Sequence, residues 1–137
     1  MNSTPTGPKV LYAEDDERLQ QLTLRILEQK LPGCSITAVN DGDSCLLAFK
    51  LTGGVGFDLI LTDKDMPIMS GIEVISELAK MSQAGISVPP IILYTGDSDG
   101  AHIPEDFYES LRISILAKSC RGDDLAEAIR TAIKLAK

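Results

Sequence analysis

The chain has 137 residues, 44% of them apolar and 24% charged; this is the make-up of one globular domain and excludes disorder, collagen-like repeats and a disulfide scaffold. Lys and Arg number 13 against 20 Asp and Glu, a formal net charge of −7 that disfavours binding to nucleic-acid backbones or anionic membranes. No apolar run reaches the ~18–20 residues of a membrane span, Met1 to Pro8 lacks the apolar centre of a secretory signal, and Cys34, Cys45 and Cys120 show no CxxC spacing, which points to reduced thiols in a cytoplasmic protein and not to a zinc site.

Residues 1–8, with Pro5, Gly7 and Pro8, are expected to form a flexible N-terminal tail ahead of a single domain over 9–137. Val10-Leu11-Tyr12-Ala13 is a short apolar run that stops at Glu14-Asp15-Asp16, as a strand buried on both faces does. From Glu17 the period becomes helical. Leu19, Leu22, Ile26 and Leu27 are expected on the inner face, with Gln20, Gln21, Arg25 and Glu28 opposite, until Pro32-Gly33 ends the helix.

The strand–helix unit then recurs. Ser35 to Val39 reads as a strand, Asn40-Asp41-Gly42 as a turn, and Ser44 to Leu51 as a short helix. Phe57 to Thr62 is a third strand running into Asp63-Lys64-Asp65, followed after Gly71 by a helix with Ile72, Ile75, Leu78 and Ala79 on one face. Pro90 to Thr95 is a fourth strand, Gly96 to Gly100 a polar loop, and Pro104 to Leu111 a short helix. Ile113 to Ala117 is a fifth strand. Asp123 or Asp124 is expected to cap a last helix whose inner face is Leu125, Ala128, Ile129, Ala132 and Ile133. The lone histidine, His102, reads as a surface loop residue, and Asp97 as a solvated loop carboxylate.

Five strands alternating with helices imply an α/β fold with a parallel sheet covered on both faces. Open sheets of this kind bind ligands at the carboxyl ends of their strands. The residues at those ends are Glu14 and Asp15, Asp63, Thr95 and Lys118. Each alone has a bland explanation: a helix cap, a turn residue, a surface charge. A parallel sheet gathers all of them into one crevice, where three carboxylates repel one another unless a cation joins them. Mg²⁺ takes oxygen ligands of this type. An aspartate can act as a nucleophile toward phosphorus and form an acyl phosphate. The incoming phosphoryl charge then needs the cation, a lysine and a hydroxyl donor, which Lys118 and Thr95 supply.

The segments Val10 to Asp16, Phe57 to Gly71, Pro90 to Gly96 and Leu116 to Lys118 together resemble a response-regulator receiver domain of two-component signalling, over roughly residues 9–135. The resemblance implies a flavodoxin-like (βα)5 fold with strand order 2-1-3-4-5. It implies Asp63 as phosphoacceptor, Mg²⁺ held by Glu14, Asp15, Asp63 and the backbone carbonyl of Asp65, and Thr95 and Lys118 as phosphoryl contacts. It implies a histidine kinase or histidine phosphotransfer protein as donor, a downstream protein as output partner, and a monomeric signalling domain that catalyses its own phosphorylation and is not a turnover enzyme.

Three positions depart from the family pattern. Ser119 stands where the lysine is usually followed by proline, often with a cis bond. Ile115 stands where the fifth strand usually carries Tyr or Phe, and Gly96 to Arg112 is rich in Gly and Asp. Two other readings follow from the residues. One is a receiver-like interaction module that no longer takes phosphate. The other is a haloacid-dehalogenase-type phosphatase using Asp63 and Asp65, disfavoured because such enzymes place this motif on the first strand.

Overall fold

The computed structural model describes residues 7–53, 55–96 and 103–136. Asp97, His102 and Met1 to Thr6, for which expectations were stated above, lie outside the described residues. The element order is β1 (Lys9–Ala13), α1 (Glu17–Lys30), β2 (Ser35–Val39), α2 (Gly42–Leu51), β3 (Leu59–Asp63), α3 (Gly71–Gln83), β4 (Ile91–Thr95), α4 (Phe107–Ser110), β5 (Ile113–Ala117) and α5 (Gly122–Ala136). All strand pairs are parallel, in the order β2-β1-β3-β4-β5.

Alternation along the central strands builds two cores. Leu11, Ala13, Ile60, Ile91 and Leu93 face Phe49 of α2 and Val74, Ile75 and Leu78 of α3. Val10, Tyr12, Leu59, Leu61, Ile92 and Tyr94 face Leu27 of α1 and Leu125 and Ile129 of α5. β3 and β4 are buried at every position, which is why each opens on an apolar run, Leu59 to Leu61 and Ile91 to Tyr94. Residues 7 and 8 are hydrogen-bonded to the start of β2: the Gly7 N–H donates to the Gly33 carbonyl, and the Pro8 carbonyl accepts from the Ser35 N–H.

The structure corrects four local expectations. In α1 the inner stripe is Gln20, Thr23 and Leu27, whereas Leu22, expected inside, is 54% exposed. Neither Asp123 nor Asp124 is the N-cap of α5; both lie in its first turn, and Asp124 reaches back to accept from the Arg121 N–H. The expected helix over Pro104 to Leu111 is a single turn, Phe107–Ser110, without a side-chain cap. The expected third strand begins two residues later and includes Asp63.

The β3–α3 loop is closely confined. Ser70 and Glu73 form a capping box at the start of α3, and the Gly71 N–H donates to the Lys64 carbonyl. A Cβ on Gly71 would overlap the Asp63 carbonyl oxygen, and one on Gly42 would overlap that of Met69. Between these contacts, the Met69 N–H donates to the Pro67 carbonyl across Ile68, whose φ is +71°. This is the rarer, strained form of the γ-turn, held here on a β-branched residue that is 79% exposed. Gly71→Ala forces a methyl group against the Asp63–Lys64 backbone, and an overpacked contact of this kind costs about 1–3 kcal/mol. Denaturant unfolding is expected to show that loss, and an unchanged midpoint would mean that the loop yields freely.

Candidate functional site

β1 is flanked by β2 on one side and β3 on the other, so the chain's connections leave it in opposite directions and open a crevice beyond its carboxyl end. Glu14 and Asp15 follow β1 into that crevice, and Asp63 ends β3 beside them. One carboxylate oxygen from each of Glu14, Asp15 and Asp63 lies within 4.8 Å of the others. Glu14 is fully buried, Asp63 nearly so, and Asp15 is exposed at the mouth. Asp16, next in line, turns away to cap α1 by accepting from the Arg18 and Leu19 N–H groups.

Lys118, just after β5, reaches over this cluster. Its Nζ is 3.0 Å from Glu14 Oε1 and 3.0 Å from Asp63 Oδ1. Its backbone N–H donates to the Thr95 carbonyl at 2.8 Å, which ties the end of β5 to the end of β4. Thr95 is buried at that strand end, and the 118–119 peptide bond is trans, since no described peptide bond is cis. The structure thus brings Glu14, Asp15, Asp63 and Lys118 together, with Thr95 adjoining through the backbone. Asp65 stands two residues beyond Asp63, exposed in the loop. The Asp63-Lys64-Asp65 run closes the third strand of the chain, not the first.

Burial dominates the electrostatics of Glu14 and pushes its carboxyl up to about 7; Asp63 adds to the rise and Lys118 opposes it. Burial pulls the Lys118 ammonium down, but Asp63 and Glu14 outweigh it and hold the group above its ordinary value. Glu14 Oε2 accepts from the Asp16 N–H at 3.2 Å, while the buried Oε1 is met by the Lys118 ammonium at 3.0 Å. An all-carboxylate donor set, with three oxygens within 4.8 Å of one another, fits a hard divalent cation such as Mg²⁺.

The residue that sequence reasoning misplaced is Gln20. It is 7% exposed, and its Nε2 lies within hydrogen-bond distance of the Glu14 carbonyl (3.2 Å), the Val39 carbonyl (3.1 Å) and Asn40 Oδ1 (3.2 Å). The signal available in the sequence was the alternative helical stripe 20, 23, 27.

The family described as the response regulator receiver domain matches residues 10–130. The sensory transduction protein RegX3 of Mycolicibacterium smegmatis is 36% identical over 66% of this chain, and the two-component response regulator ARR10 of Arabidopsis thaliana is 28% identical over 75% of it. The chain spans well under two thirds of these relatives, 36% of RegX3 and 17% of ARR10. Among solved structures, a response regulator receiver domain protein from Clostridium thermocellum superimposes with a TM-score of 0.76 at 24% identity, covering 94% of this chain and 96% of the other. A Francisella response regulator receiver domain gives 0.72 at 25% identity, covering 95% and 99%. Sequence match and fold agree, and the chain belongs to the response regulator receiver family of two-component signalling.

Proposed function

We propose that residues 9–137 form a phosphoacceptor unit in which Asp63 takes a phosphoryl group from a phosphohistidine on a histidine kinase or phosphotransfer protein. The observation that carries this reading is a buried carboxylate at a strand end, 3.0 Å from a lysine ammonium and within 4.8 Å of two further acids. An Asp63 oxygen forms a bond to phosphorus as the donor's P–N bond breaks. The imidazole leaves with the bonding electron pair and takes up a proton. Lys118, already against Asp63, stabilises the charge that develops on the transferring group, and the Thr95 hydroxyl donates to a phosphoryl oxygen. Glu14, Asp15, Asp63 and the Asp65 backbone carbonyl would hold Mg²⁺, which when bound would supply electrostatic stabilisation of the phosphoryl charge. The product is read by a downstream protein partner, and the unit acts as a monomer in the cytoplasm.

The test is incubation with Mg²⁺ and acetyl phosphate, followed by mass spectrometry of proteolytic fragments. A phosphoryl group confined to the fragment containing Asp63 is expected. Phosphate elsewhere, or none, refutes the assignment.

Metal binding is expected to appear as a pH-dependent gain in stability. Glu14 has an ordinary carboxyl value of 4.5 and is raised to about 7 in the fold. Between these values the folded state holds a proton that the unfolded state releases, so without metal Glu14 makes stability fall as pH rises through this window. Millimolar Mg²⁺ at pH 8 restores the loss by pairing with the ionised cluster. Asp15→Ala is expected to abolish most of that gain while changing the metal-free midpoint little, because Asp15 is exposed. Thermal unfolding with and without Mg²⁺ measures both; equal gains in the variant and the wild type contradict this role for Asp15.

A further inference from the structure

Gln20 lies outside the set of groups assigned to phosphoryl or metal contact, yet its amide is buried under the acid pocket. Its three neighbours at hydrogen-bond distance are all acceptors: the carbonyl oxygens of Glu14 and Val39, and Asn40 Oδ1. That fixes the orientation of the amide, since only its NH₂ side can face three oxygens. The Val39 carbonyl also accepts from the Glu14 N–H at 3.0 Å. The peptide unit before Glu14 is therefore bonded to an oxygen that Gln20 shares, and the peptide unit after it is bonded to Gln20 directly. The second of these units leads into Asp15. One side chain from α1 thus fixes the backbone on both sides of Glu14 and joins the β1–α1 loop to the end of β2.

We propose that Gln20 is a positioning residue for the acid pocket, its buried amide holding the Glu14 backbone so that Glu14 and Asp15 present their carboxylates together to a divalent cation. The inference rests on the metal reading given under Proposed function. A helix that only needed to fill its inner stripe would be served equally well by an apolar side chain of this length. The amide is required because the carbonyl oxygens of Glu14 and Val39 converge here with Asn40 Oδ1 in a buried space, and only a donor can sit among three acceptors. Partners of this outer kind typically change metal affinity by 10–100-fold when removed.

The test is a titration with MgCl₂ followed by backbone amide NMR shifts. Gln20→Met keeps the length and removes the donor. Gln20→Asn keeps the amide but is one methylene too short to span both carbonyls. Leu27→Val, on the same buried stripe, loses packing without touching the pocket and serves as the stability control. The expected result is an Mg²⁺ dissociation constant raised about tenfold in both Gln20 variants and within twofold of wild type in Leu27→Val, whatever each does to the melting temperature. Either Gln20 variant binding Mg²⁺ within twofold of wild type overturns the proposal. So does failure of both to fold, which makes the role purely structural. A wild type that shows no Mg²⁺ shifts removes the metal reading itself and this inference with it.

Discussion

Asp63→Asn is expected to eliminate phosphate incorporation from acetyl phosphate, by at least about 10³-fold, because an amide oxygen is a poor nucleophile toward phosphorus. The variant is isosteric at a position with 6% exposure, so the fold is retained. A secondary effect follows from charge. Asp63 is one of the groups that raise the Glu14 carboxyl, and its neutralisation lets Glu14 ionise at lower pH. Intact-mass measurement reads the first effect, and a carboxyl-carbon NMR titration of Glu14 reads the second. Residual phosphate at another residue of the variant would show that the crevice has a second acceptor.

Lys118→Met is the substitution with the largest expected stability effect in the site. It removes the only cation within 4 Å of Glu14 and Asp63 among the described residues and leaves two buried carboxylates facing one another. Breaking a fully buried ion pair costs roughly 3–5 kcal/mol. The Lys118 side chain is 20% exposed, which admits solvent screening and brings the expectation to about 1–3 kcal/mol at pH 8. The loss shrinks toward pH 5, where Glu14 is protonated in the fold, and in millimolar Mg²⁺, which replaces the missing charge. Phosphate incorporation is expected to fall ~10²–10³-fold, the usual effect of deleting one charge-stabilising donor. Chemical denaturation at pH 5 and pH 8 checks the sign; equal losses at both would mean that the ion pair contributes little.

The fold could be read from the chain because β1, β3 and β4 are apolar runs ending abruptly in polar residues, and a parallel sheet must place those ends on one edge. Glu14, Asp15, Asp63, Thr95 and Lys118 are legible as candidates in this way, each as the first polar residue or residues after an apolar run, or at its end. Gln20 is not, because a periodicity argument treats an amide as a surface group. Leu19, Leu22 and Ile26 together with Leu27 form as plausible a stripe as Gln20 and Thr23 with the same Leu27. The choice between them lies in tertiary structure, in the carbonyls of Glu14 and Val39 that converge on the Gln20 amide. The α5 cap went astray for a related reason: Asp123 and Asp124 are both good capping residues, but only the path of the chain puts Arg121 at the helix boundary and Asp124 in reach of its N–H. The single turn of α4 reflects a segment with no apolar periodicity long enough to sustain a helix.

The contacts of Gly42 and Gly71 with the β3–α3 loop bear on how this part of the sequence can drift. Two positions nearly thirty residues apart in the chain are barred from gaining even a methyl group, one by the Met69 carbonyl and the other by that of Asp63. Ile68, between them in the loop, is barred from nothing on grounds of size, and its positive φ is more comfortable for glycine or asparagine. Variation near the phosphoacceptor is thus governed by two unlike filters: volume excludes nearly all alternatives at 42 and 71, and backbone conformation disfavours the residue now standing at 68. A lineage free of other demands would keep the two glycines and lose the isoleucine.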